Sequence, residues 1–340
     1  MQTKLPLSAA AIALTLACAT HGPSSAEAAA FDPAHVSAEA KWVLHYDVDA
    51  SRETAYGKKF HEEHVATEQG REKLNWVKDR YGIDLERDLH GFTAYGNDYE
   101  PHSGTLLMHS KFDAAKIEAV VKEEPDHRTS RHGNHTIHTW TAKLGRPGAG
   151  QADDDAEAKG RPLSAALVAN RVVVIAAGEQ SVKAALDVLD GKAPTLRGKE
   201  SPLVFEVSPG TFFQGAAFSL TDLKQRPRPF PVLQESNSAR MTFGERDGRT
   251  SFAFRLDAGD AQRASQVATM GEGFQAMIQL HAEARPELKP IAEGLSIQQA
   301  DGVVETTWTV ATDAVLKLAE QAKAEREARR APRDADSKDE

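Results

Sequence analysis

The stretch DHRTSRHGNHTIHTW, residues 126–140, carries four histidines: His127, His132, His135 and His138. Imidazole is a common ligand for Zn²⁺, Cu²⁺ and Ni²⁺, and a closed zinc site needs three or four such donors. Spacing decides whether these four converge. Gly133–Asn134 reads as a two-residue hairpin turn. Pairing then runs His132–His135, Arg131–Thr136, Ser130–Ile137, Thr129–His138, Arg128–Thr139 and His127–Trp140. Side chains alternate between faces of a strand, so His132 and His135 share one face, and His127 and His138 lie on the other. Two imidazoles leave a tetrahedral ion half-coordinated. The expectation is a polar hairpin without a tight metal site, with His132 and His135 as the pair a weakly held ion would use.

A second pair, His61 and His64, sits in KFHEEHV. The zinc-protease pattern H-E-x-x-H places its histidines at i and i+4. Here the spacing is i, i+3, which still shares one face of an α-helix and suits adventitious Zn²⁺, Cu²⁺ or Ni²⁺. The candidate metal ligands are therefore His61, His64, His132 and His135. His102 and His109 stand alone. GEGFQA (271–276) matches a dinucleotide fingerprint in letters, but it falls inside a helical run and does not open a helix after a strand. Its glycines read as positions that loosen that helix or permit close packing. No phosphate-binding G-x-x-x-x-G-K-[ST] and no G-x-S-x-G elbow occur, and DDDAE (153–157) lacks the alternation of a calcium loop. No catalytic or cofactor-binding residue is indicated. The reading leans away from an enzyme, toward a binding or assembly protein for an unknown protein or small ligand. Histidine-mediated metal handling is the first alternative, and an enzyme with dispersed catalytic residues the second.

These residues must be positioned by a repeated unit, a short alternating run followed by a helical period. WVLHYDVDASRETAYGKKF (42–60) is the first. TLLMHSKFDAAKIEAVVKE (105–123) is the second, with Asp113 as helix cap. RVVVIAAGEQSVKAALDVLDG (171–191) is the third, with Gly191 just past the helix end. Residues 250–280 and 305–325 supply two more. Asp247–Gly248 and Asp301–Gly302 mark further tight hairpins, so the strands are antiparallel. The fold class expected is α+β: antiparallel sheets with helices packed on one face, in two related halves suggesting an internal duplication. The halves span 31–195 and 203–324. A flexible insert occupies 144–162, prolines break 224–231, and a charged tail, 325–340, should fray from the last helix.

The chain has 340 residues, 40% hydrophobic and 27% charged, with a formal charge of −9. That balance supplies no basic footprint for nucleic acid. The N-terminus, MQTKLPLSAAAIALTLACATHGPSSAEAAAF, has one lysine, an apolar run and a small-residue end. It reads as a signal peptide over residues 1–30, hence export to the periplasm or beyond. Cys18 is the only cysteine, so no disulfide forms within the chain, and it is a candidate lipidation site. No long apolar run follows, and no membrane span is expected in the mature chain. The segments YGIDLERDLHGFTAYG (81–96), KWVLHYDVDA (41–50) and VKAALDVLDGK (182–192) resemble parts of a group of uncharacterised secreted bacterial proteins with no known activity. That resemblance implies export and an α+β fold, and it assigns no site.

Overall fold

A computed structural model describes residues 30–100, 102–142, 160–225 and 234–330. The signal segment with Cys18, most of the 144–162 insert, much of the proline-rich 224–231 stretch and the last ten residues lie outside them. Twelve strands form one antiparallel sheet: β1 Trp42–Asp47, β2 Leu89–Gly96, β3 Thr105–Ser110, β4 Arg128–His132, β5 His135–Ala142, β6 Arg161–Val168, β7 Val172–Ala176, β8 Thr211–Phe218, β9 Ser238–Arg246, β10 Arg249–Asp257, β11 Leu295–Ala300 and β12 Val303–Ala311. Their spatial order is β11-β12-β10-β9-β8-β1-β2-β3-β7-β6-β5-β4. The sheet is continuous across residues 195–203, because β1 pairs directly with β8. With eight α-helices among the described residues the class is α+β, as expected.

Five of the helices begin where a polar side chain takes up a free backbone N–H. Asp47 caps α1 (Val48–Arg52), Thr54 caps α2 (Ala55–Phe60), and Thr67 caps α3 (Glu68–Tyr81), which ends at Gly82 with φ 70°. Asp113 caps α4 (Ala114–Lys122). Helix α5 spans Glu179–Leu189, and Asp260 caps α6 (Ala261–Ala284). Short α7 (Lys289–Glu293) and α8 (Thr312–Arg330) complete the set. Helix α8 runs to Arg330, beyond the point where fraying was expected. Its last turns are Ala, Glu, Lys and Arg, all strong helix formers.

Alternation along the strands splits the core in two. On β7, Val174 faces the back, packing with Leu107, Ile137 and the α5 residues Val182 and Leu186, all 0% exposed. Its neighbour Val173 faces the front, with Leu74 and Val77 of α3 and Ile117 of α4. The β1–β7 region therefore carries helices on both faces, and β7, VVVIA, reads apolar in both phases. At the other end only the front is covered. Ala264 and Ala268 of α6 pack there beside Val304 and Ile297. The back of that end is polar: Arg255 pairs with Glu305 at 3.6 Å, and Arg240 lies over the Phe205 ring at 5.1 Å.

Candidate functional site

Between the front face of the sheet and the two helices above it lies a half-open apolar cavity, with about 110 Å³ of accessible volume. Strands β2, β3, β6 and β7 supply the floor through Leu89, Phe92, Met108, Ala165, Leu167, Val173 and Ile175. Helix α3 contributes Val77 and Tyr81, and α4 contributes Ile117 and Val121. Ile83 and Leu85, in the turn after α3, close one end. The helices stand off because the floor mixes large and small side chains: Ala165 sits beside Trp140 and Ile175. A concave, mostly apolar wall with a few polar groups is the general character of small-molecule sites.

Polar groups reach the lining only at Tyr81, Glu118 and His138. His138 is 4% exposed, its Nδ1 lies 3.1 Å from His127 Nε2, and the two rings stack at 5.4 Å. Burial lowers the pKa of His138 below its usual value, so it is uncharged at neutral pH. Glu118 is paired with Lys122 at 3.3 Å, one helical turn away. An apolar wall whose polar groups are confined to Tyr81, Glu118 and His138 suits a largely hydrocarbon ligand. It offers no nucleophile–base pair for covalent chemistry.

The hairpin has the register read from sequence: His132 pairs with His135, Arg131 with Thr136, Ser130 with Ile137, Thr129 with His138 and Arg128 with Thr139. Gly133 turns it at φ 57°. The histidines divide two and two. On the back face, His132 Nε2 lies 2.7 Å from Asp187 Oδ1 of α5, and His135 Nε2 lies 2.8 Å from Asp190 Oδ1. These contacts dock the hairpin on α5 and the residue that follows it. His61 and His64 fall in a π-helical turn, His61–Val65, where i and i+3 no longer stack as in an α-helix. His61 Nε2 meets Glu86 at 3.1 Å, and His64 packs on the Phe60 ring at 4.8 Å. His102 contacts Arg161. Among the described residues, no three His, Cys, Asp or Glu side chains form a group that could hold a metal ion.

A second polar cluster, on the back face, escapes sequence reasoning. His45 Nδ1 lies 2.9 Å from Thr93 Oγ1, which lies 3.3 Å from His109 Nε2. His35 stacks on His109 at 5.8 Å, and His90 Nδ1 meets Asp49 at 2.8 Å. Burial, aided by the neighbouring imidazoles of His35, His45 and His90, pushes His109 down to about 4. The signal was the second phase of WVLHYD, where Val43, His45 and Asp47 alternate as a buried row.

No protein-family model matches the chain, and no curated protein matches it. Among solved structures, the chain is similar to crystal form III of TP0453, at 9% identity and a TM-score of 0.44, over 84% of this chain and 97% of that one. It is also similar to crystal form I of TP0453, at 11% identity and a TM-score of 0.40, over 86% and 98%.

Proposed function

We propose that this protein is a non-catalytic binder of an elongated, mainly hydrocarbon small molecule, held between α3, α4 and the front of the sheet. The supporting observation is the cavity itself, where only Tyr81, Glu118 and His138 bring polar groups to an otherwise apolar wall. The His127–His138 pair would meet an uncharged polar end, such as a hydroxyl or an ester carbonyl. The proposal includes export, which rests on the signal-like residues 1–30. It also includes an ancestral duplication. Outward from the central β1–β8 pair, β1-β2-β3-β7-β6 and β8-β9-β10-β12-β11 follow matching courses, with α4 after β3 and α6 after β10.

Titration with an environment-sensitive hydrocarbon dye tests the binding claim. Ala165 is 8% exposed and lines the cavity floor, so Ala165→Phe fills the space a ligand would take. The wild type should bind one dye per chain. The variant, folded and as stable, should bind it at least about tenfold more weakly, a difference of about 1.4 kcal/mol. Equal affinity in both would place the dye elsewhere and remove the support.

A further inference from the structure

We infer that residues 31–41 form a strap that acid lifts from a cluster of imidazoles on the back face of the sheet. The strap crosses that face just ahead of β1. It runs from Phe31 through a 3₁₀ turn, Pro33–His35, to Lys41. An isolated bridge between Ser37 and Thr195 joins it to the loop after α5. Ala38 N–H donates to Pro194 O, and Leu196 N–H donates to Val36 O, both at 3.0 Å. Arg197 donates to both carboxylate oxygens of Asp32, at 2.8 and 3.0 Å. Val36 and Ala40 reach into the back core, 0% and 1% exposed. Because the strap precedes β1, lifting it leaves every pairing of the sheet in place. It is therefore a unit that opens locally, well below the cost of unfolding.

The strap rests on titratable rings. Phe31 tilts on the His45 ring and His35 stacks on the His109 ring, each pair with centroids 5.8 Å apart. Thr93 Oγ1 lies 2.9 Å from His45 Nδ1 and 3.3 Å from His109 Nε2. His109 faces His35 and Asp32 on the strap, His45 on β1 and His90 on β2. His90 Nδ1 is itself 2.8 Å from Asp49 of α1, and β7 sets the uncharged Val172 opposite His109. A proton on His109 thus sits among three other imidazoles, while the strap's own carboxylate is committed to Arg197. Lifting the strap removes the His35 ring and admits water, which solvates the imidazolium. Under the strap His109 takes up a proton only near about 4, whereas a solvated imidazole does so near 6.5. The open form therefore carries the extra proton, and falling pH favours it. Between pH 7 and pH 5 the open fraction rises by up to about 20-fold. The stretch ahead of β1 is fixed at neutral pH and released in acid.

The test is amide hydrogen exchange of the full chain, read by NMR at pH 7 and pH 5 as protection relative to the unfolded-peptide rate. The reporters are the amides of Ala38 and Leu196, whose bonds cross between strap and loop. Their protection should fall about 20-fold at pH 5, while amides of the β3–β7 ladder stay far better protected at both pH values. In His109→Gln, which cannot protonate, most of that fall should vanish. Should the variant fail to fold, a side-chain ¹⁵N histidine titration of the wild type decides, with the His109 ring still neutral at pH 6. Unchanged protection at Ala38 and Leu196 overturns the inference, as does an equal fall in His109→Gln. Strap and ladder amides sharing one protection at both pH values, or a His109 ring that titrates near 6.5, overturns it as well.

Discussion

Acid should destabilise this fold through His109. Its ring stacks on His35, and its Nε2 sits 3.3 Å from the Thr93 hydroxyl. Burial is the main cause that takes it from 6.5 down to about 4, with the imidazoles of His35, His45 and His90 acting in the same direction and Asp32 opposing. The folded protein thus refuses a proton that the unfolded chain accepts. Stability is highest above the unfolded value and is lost as pH falls through the window from 6.5 to about 4. At about 1.4 kcal/mol per unit, the loss between pH 7 and pH 5 is about 2 kcal/mol, approaching ~3 kcal/mol at the acid end. Urea denaturation at both pH values measures it. Other carboxylates and histidines titrate over the same range, so the comparison is with His109→Gln, which keeps a hydrogen-bonding group near Thr93 but cannot protonate. The variant should lose about 2 kcal/mol less than wild type over that interval. Parallel losses in the two proteins would refute the assignment of a depressed pKa to His109.

Three further outcomes follow from packing. Leu107→Ala empties a position that is 0% exposed at the centre of the back core, and should cost about 2–5 kcal/mol by chemical denaturation. His132→Ala breaks a partly exposed contact with Asp187 and should cost less than about 1 kcal/mol; a larger loss would mean that the hairpin's docking on α5 is a main stabiliser. Gly96→Ala should cost about 1–3 kcal/mol, because the new Cβ would lie 2.5 Å from Trp42 Nε1, on an indole pinned by its hydrogen bond to Asp98 O.

The local devices were legible in the sequence, and what depends on distant packing was not. Gly133–Asn134 and the period of two fixed the hairpin register to the residue, so the two-and-two division of its histidines followed. Asp113 and Gly191 marked one helix start and one helix end because caps act within a few residues. Helix α3 was harder to see, since its residues are mostly polar and only Thr67 and Gly82 punctuate it. The tight turn at Ala169–Asn170 uses two positive-φ residues that are not glycine, an uncommon choice that leaves little trace in composition. His61 and His64 were placed on one α-helical face, but the backbone there widens into a π turn. His45 and His109 lie far apart in the chain and are brought to Thr93 because β1, β2 and β3 pair antiparallel. The cavity was invisible for a related reason. It is lined by side chains from seven elements, α3, α4, β2, β3, β5, β6 and β7, so it depends on volumes summed across distant parts of the chain.

Methyl NMR of the five methionines tests the central claim most directly. Met108 lies in the cavity wall, whereas Met270 and Met277 lie on the exposed face of α6. With ¹³C-methyl methionine incorporated, a hydrocarbon probe added to the protein should shift the Met108 resonance saturably, at one equivalent, and leave Met270 and Met277 in place. Shifts confined to Met270 and Met277, or a Met108 signal that never moves, would contradict a binding site between α3, α4 and the sheet.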